Sequence, residues 1–205
     1  MNDIRKEKRQ EKIFRAAVWC FNKKGYYETT IDTIASRAKV SKGSIYYYFK
    51  SKKELFLELF HYRVNKYFDQ LKDYIKEEKS PDMRLLMFIN KSSQFLKENE
   101  DFFRFCLEFL SMGVREPEIR KVMTIFYKDS IDTFKQLLGE GVESGIFKDL
   151  GSDAVARTIY FLFMGVFFTY FSVDVDFDLN RQHKFHINNI LTALNNRKKT
   201  ISQQT

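Results

Sequence analysis

Between residues 9 and 56, signals that end one helix and start the next follow so closely that few folds are open to this part of the chain. The amphipathic run RQEKIFRAAVWCFNKKG (9–25) sets Ile13, Ala17, Cys20 and Phe21 near helical spacing and stops at Gly25, a residue suited to the left-handed position just past a helix. Thr30 stands in the capping position before IDTIASRA, whose Ile31, Ile34, Ala35 and Ala38 share one face of a helix of about two turns. Ser41 is placed to cap a third helix. SKKE (51–54) is a capping box, in which the Ser51 hydroxyl and the Glu54 carboxylate satisfy each other's orphan amides. Two short helices joined by a turn of about three or four residues, framed by longer helices, read as a helix-turn-helix.

Two prolines and eight glycines in 205 residues, with almost no clusters of turn residues, extend the helical reading to the whole chain. The expected fold is all-α, with about nine helices: an N-terminal three-helix helix-turn-helix domain over 1–50 and a C-terminal helical domain over 51–205, linked by the helix that starts at 51. Charge divides the chain in the same place. Through residue 66, Lys and Arg outnumber Asp and Glu by 16 to 7, whereas the remainder has 19 against 20; only 5 of the 22 phenylalanines fall in that first third. A basic module beside an apolar one points to an anionic partner for the first, nucleic acid or a membrane surface. Cys20 and Cys106 lie far apart in apolar helical surroundings and are expected to be buried thiols. The N-terminus is charged and has no continuous apolar segment, so a cytoplasmic protein is expected. The most apolar stretch, AVARTIYFLFMGVFFTYFSV (154–173), contains Arg157 and is expected to be a buried helix, with no membrane partner.

VSKGSIYYYFKSKKEL (40–55) puts three tyrosines in a row among four lysines. On a helical wheel Ile45 and Phe49 point inward, Gly43, Ser44 and Tyr47 outward, and Tyr46 and Tyr48 flank them. A tyrosine offers a ring to a thymine methyl and a hydroxyl to a phosphate or base edge, which suits a groove surface. Gly43 lets a backbone approach closely, and Thr30, Ser41 and Ser51 leave amides free at three helix N-termini for phosphates.

KIFRAAVWCFNKKGYYETTIDTIASRAKVSKGSIYYYFKSKKELF (12–56) resembles the DNA-binding domain of the tetracycline-repressor (TetR) family, whose pattern A-x-x-A-G-V-S-x-G-x-I-Y-x-Y-F is followed by K-x-K-E-x-L. The resemblance implies double-stranded DNA as partner, with contacts at Thr30, Lys42, Gly43, Ser44, Tyr46, Tyr47, Tyr48 and Lys52; the wheel and caps reach most of these independently and add Ser41. One position departs from the pattern. Lys39 stands where the family has Gly, and if it takes a positive φ it carries a strain of about 1 kcal/mol.

Beyond residue 80 the expected helices are 82–99, DFFRFCLEFLSM, Pro117 to Gly145, 152–172 and 180–198. DVDFDLN (174–180) imitates a calcium loop, but Leu179 and Phe185 occupy positions that need Gly and Glu, so no calcium site is expected. His183 and His186 stand one turn apart; without a further ligand at obvious spacing they are expected on a solvated helix face, with no metal and no cofactor. The 152–172 helix is apolar on every side. Its small residues Ala154, Thr158 and Gly165, with Phe161 and Phe168, are expected to pack on a second copy, joined by Ile187, Ile190, Leu191 and Leu194 in a four-helix interface. The resemblance implies the same homodimer, which presents two reading helices to a palindromic operator about 34–36 Å apart.

Surplus aromatics suggest a cavity for a small-molecule effector, with Phe103, Cys106, Phe134, Phe163 and Phe167 as candidate lining. Arg104 and Glu108 are candidates for its polar anchor or for an exposed ion pair. Three histidines give no nucleophile, base and orienter, so no enzyme is expected. The expected function is a ligand-responsive transcriptional repressor, released by an apolar or aromatic effector when the helix from Ser51, the one segment joining operator and cavity, tilts. The alternative is a DNA-binding structural protein of the same fold, serving nucleoid or division control without an effector.

Overall fold

The computed structural model describes residues 2–196, with side chains from residue 5. Among them are nine helices: α1 (Asn2–Glu28), α2 (Ile31–Ala38), α3 (Lys42–Tyr48), α4 (Lys52–Ile75), α5 (Pro81–Glu98), α6 (Glu100–Gly113), α7 (Pro117–Glu143), α8 (Ser152–Ser172) and α9 (Leu179–Leu194). The helix expected over 180–198 ends at Leu194, and residues 197 and 198 lie outside the described ones. α1 begins seven residues earlier than the amphipathic run that announced it, and Gly25 breaks it with φ 74 and ψ 170. Pro81 and Pro117 open α5 and α7, where a missing amide hydrogen leaves no bond unmade.

Two compact units divide these residues, one of the residues up to 69 with 96–124 and one of 70–95 with the described residues from 125 on. The chain therefore passes between units three times, within α4, α5 and α7. The helix from Ser51 is one of three connections, which corrects the expectation that it alone joins the two parts.

α6 falls in the first unit because of its phenylalanines. Phe105 and Phe109 meet α4 at Phe56, with ring centres 4.9 and 5.0 Å away, and Phe60 stacks on Phe109 at 4.1 Å. Phe21 of α1 closes the cluster on Phe56 at 4.9 Å. All five rings are buried, each contributing about 1.5–3 kcal/mol relative to exposure. Arg120 caps the end of α6, its Nε and Nη2 donating to the carbonyls of Gly113 and Val114 at 3.1 and 2.6 Å.

In the second unit, Ala156, Ile159, Val166 and Phe167 of α8 are buried, as are Leu179, His183, Ile187 and Leu194 of α9. Phe147 lies against α7 at Gly141, where a β-carbon would overlap its ring. The segment after α7 bonds back to the end of α9, Lys148 N donating to Leu194 O at 2.7 Å. α8 is long and apolar enough to cross a membrane by length and composition. The face expected to pack on a second copy is open in the single chain: Ala154, Thr158, Phe161, Gly165 and Phe168 form an exposed stripe at heptad spacing, with Phe161 58% and Phe168 57% exposed.

Candidate nucleic-acid interface

α2 and α3 are held at their ends by their own side chains. Thr30 Oγ1 accepts from the Thr33 amide at 3.2 Å, and Thr33 Oγ1 accepts from the Thr30 amide at 3.2 Å, a reciprocal capping box. At the other end Lys39 takes φ 51 and ψ 50, while Lys39 N donates to Ser36 O and Val40 N to Ala35 O, both at 3.1 Å. This left-handed closure sets the turn between the helices. It costs about 1 kcal/mol at a residue with a β-carbon. Ser41 Oγ then accepts from Ser44 N at 3.1 Å to start α3, and the Lys42 ammonium pairs with Asp32 of α2 at 2.8 Å, which raises the pKa of Lys42.

The wheel reading of α3 holds. Ile45 and Phe49 are buried, whereas Tyr46 is 47% and Tyr47 74% exposed; Tyr48 is half-buried, edge-on to Tyr47 with ring centres 5.1 Å apart. Thr30, Ser41, Lys42 and Gly43 are exposed beside them, and Ser44 is half-buried. A β-carbon on Gly43 would meet only Ser41 Oγ, at 3.9 Å, so packing within the chain does not demand glycine there. The box at the head of α4 is also present: Glu54 N donates to Ser51 Oγ at 3.0 Å and Lys50 N to the Glu54 carboxylate at 2.7 Å.

Lys52 departs from its expected role. Its ammonium donates to the carbonyls of Tyr26, Tyr27 and Thr29 at 2.7, 3.2 and 2.8 Å and lies 4.4 Å from the Tyr26 ring centre; burial lowers its pKa. All three donors are engaged within the chain, so Lys52 fastens the segment between α1 and α2 and has no donor left for a phosphate. Thr29 is buried in the same junction, its hydroxyl 2.7 Å from Gly25 O. Glu108, a candidate effector anchor, accepts from the Tyr26 amide at 2.9 Å and is likewise committed to this junction.

The five candidate cavity residues fall in different units, Phe103 and Cys106 in the first, Phe134, Phe163 and Phe167 in the second. Phe103 meets Phe102 edge-on, ring centres 5.5 Å apart. The Cys106 residue is half-buried, but its thiol is inside, and burial pushes its pKa up. Phe134 and Phe167 are buried, Phe134 edge-on to Phe88 at 5.3 Å. Phe163 stacks on His183 at 4.7 Å and borders a hollow of about 10 Å³, room for one water.

His183 is not on a solvated face. It is buried, and its Nδ1 lies 2.6 Å from Ser93 Oγ, whose own proton goes to Ile89 O, so Nδ1 carries the ring proton. Burial, aided by the neighbouring His186, lowers the His183 pKa to about 4. The expected interface residues of α9 divide as well. Ile187 and Leu194 are buried within their own unit, Ile190 and Leu191 are half-buried, and Phe185, which sequence reasoning passed over, is 62% exposed.

Comparison with known proteins agrees with this architecture. Residues 13–59 match the family described as bacterial regulatory proteins, tetR family, and residues 81–185 match the C-terminal domain of BetI-type transcriptional repressors. A fatty acid metabolism regulator protein of Bacillus subtilis is 27% identical over 158 residues, 76% of this chain and 80% of that protein. The B. subtilis HTH-type regulator YerO is 32% identical over 168 residues, 77% of this chain and 55% of that protein. Two solved structures share the fold: a transcriptional regulator from Saccharomonospora viridis in complex with choline (TM-score 0.82, 21% identity, 93% of this chain and 100% of that one), and FadR from B. subtilis in complex with stearoyl-CoA (TM-score 0.78, 24% identity, 89% and 98%). The helix-turn-helix with its capped α2 and α3, the helical domain after it and both family matches give one conclusion: this chain belongs to the TetR family of transcriptional regulators.

Proposed function

We propose that the chain is a homodimeric transcriptional repressor that reads a palindromic operator with α3 and leaves it when a small apolar or aromatic effector binds. One observation carries the reading: Ile45 of α3 and Phe49 just after it are buried, whereas Tyr46, Tyr47 and Lys42 face outward and remain exposed. On this reading residues 1–50 are the DNA-binding domain, residues from 51 regulate it, and the protein works in the cytoplasm on the nucleoid. The exposed stripe Ala154, Thr158, Phe161, Gly165 and Phe168 supports the dimer, since nothing in the chain lies within 4 Å of a β-carbon built on Gly165 and a second helix can approach there. That similar regulators hold choline and stearoyl-CoA supports an effector.

Packing favours a second reading for the effector half alone. Phe134 and Phe167 are buried, and the hollow at Phe163 is only about 10 Å³, which supports a DNA-binding structural role without a ligand.

Genomic selection of bound fragments followed by footprinting tests the proposal. A protected inverted repeat with half-sites about one helical turn apart is expected. Phe168→Asp should give a monomer that protects neither half-site at the wild-type concentration. Uniform protection without a repeat would leave the structural role.

A further inference from the structure

We infer that the first unit carries a ligand site of its own, a cleft in which Arg63 takes the carboxylate of a small aromatic acid. A cleft of about 520 Å³ opens between α1, α4 and the turn from α5 into α6, walled entirely by the first unit. That volume is in the range of small-molecule sites. Phe14, Val18, Leu59, Tyr62 and Phe102 supply apolar and aromatic walls. Trp19 is exposed along it, with the Arg37 guanidinium 3.4 Å over its ring.

Arg63 determines the charge of the occupant. Its Nη2 donates to Asn99 Oδ1 at 2.9 Å, a neutral partner, and its guanidinium carbon lies 5.0 Å from the Phe102 ring centre. Its Nε is shut off from solvent and makes no hydrogen bond. Among the described residues no carboxylate forms an ion pair with it. Burial works against this charge and lowers the pKa, opposed in turn by Cys106, Tyr62 and Glu11. A guanidinium nevertheless stays protonated, so the fold holds a partly desolvated cation without a counter-charge. A carboxylate meets that need with two parallel charge-assisted bonds.

Of the other charges that line the cleft, Arg15, Arg37, Glu98, Glu100 and Asp101 are exposed and screened by water, and Glu11 and Lys97 are half-buried. The acid among them that Arg63 feels, Glu11, has the Lys66 ammonium 4.0 Å away. Arg63 therefore favours an anion in the cleft, and the exposed Trp19 ring offers it a flat apolar surface. This site is distinct from any effector hollow in the second unit, and its test reads binding alone, so it stands or fails independently of operator release.

Trp19 is the chain's one tryptophan, so a single indole N–H signal in a nitrogen–proton correlation spectrum reports from the cleft. The full chain is titrated with phenylacetate and, separately, with phenethyl alcohol, which keeps the ring and lacks the charge. A saturable shift is expected with the acid and none with the alcohol. Arg63→Gln should bind the acid at least about tenfold more weakly. Arg63→Lys keeps the charge without the fork and should fall between the two; it decides the matter if the glutamine variant does not fold. Equal binding of acid and alcohol overturns the site, as does wild-type affinity in the variant that folds. So does an indole signal unmoved by the acid at roughly 10 mM, or acid-induced shifts confined to α8 and α9.

Discussion

The ammonium of Lys52 lies 2.8 Å from the carbonyl oxygen of Thr29, so the first turn of α4 is tied to the residue that precedes the α2 cap. With the bonds to Tyr26 and Tyr27, this fixes where α2 begins. Lys52→Met keeps the aliphatic stem and leaves three carbonyls without their donor. Stability should fall by about 1–3 kcal/mol, read from the urea midpoint. The slope of operator affinity against salt concentration should stay as in the wild type. A slope smaller by about one would show that Lys52 contacts a phosphate after all.

Tyr46 and Tyr47 offer the cleaner test of reading, because both project from α3 and neither supports the core. Tyr46→Ala and Tyr47→Ala should each weaken specific binding by about 1–3 kcal/mol. Affinity for random DNA and the thermal midpoint should hardly change. Gel-shift titrations with both DNAs check this; equal losses on the two would make the tyrosines backbone contacts rather than readers.

Lys39 is the one non-glycine residue with positive φ among those described. Lys39→Gly relieves a β-carbon clash of about 1 kcal/mol, largely offset by the greater freedom of glycine in the unfolded chain at about 0.5–1 kcal/mol, for a net gain of at most about 0.5 kcal/mol. Chemical denaturation measures it. A loss of stability would mean that the lysine side chain contributes more than the strain costs.

His183 makes stability depend on pH. Its folded pKa of about 4 lies below the ordinary 6.5, so between those values the unfolded chain takes up a proton that the folded chain refuses. The stability contribution is complete above pH 6.5 and declines as pH falls toward 4; between pH 7 and pH 5 the loss is about 2 kcal/mol. His183→Leu should flatten the denaturation free energy across that interval by this amount, whatever the substitution costs at pH 7. An unchanged pH profile would place the titration elsewhere.

Local signals were legible where a residue's partner lies within a few positions. Thr30, Ser41 and Ser51 cap their helices as their spacing implies, Gly25 breaks the helix near the expected place with a positive φ but an extended ψ, and the inner face of α3 follows from Ile45 and Phe49. Lys52 was misread because its type and position suit a phosphate equally well, and the carbonyls that claim it lie 23 to 26 residues away. His183 carried a usable signal: Leu179, His183 and Ile187 recur every four residues, one buried stripe through α9. The spacing of Phe102, Phe105 and Phe109 announces the helix they stand on. No periodicity says that their partners are Phe21, Phe56 and Phe60, so the company α6 keeps was invisible, and with it the cleft at Arg63.

Because the phenylalanines of α6 complete the first unit, that unit is discontinuous along the chain, and this bears on how the protein is made. As the polypeptide leaves the ribosome, α1 to α4 emerge with Phe21, Phe56 and Phe60 uncovered, and residues 70–124 must follow before α6 and its cap can settle on them. At ordinary elongation rates that wait is roughly 3–11 s. A nascent chain stalled before residue 96 would display these rings to chaperones, and the bases would find no finished surface to meet.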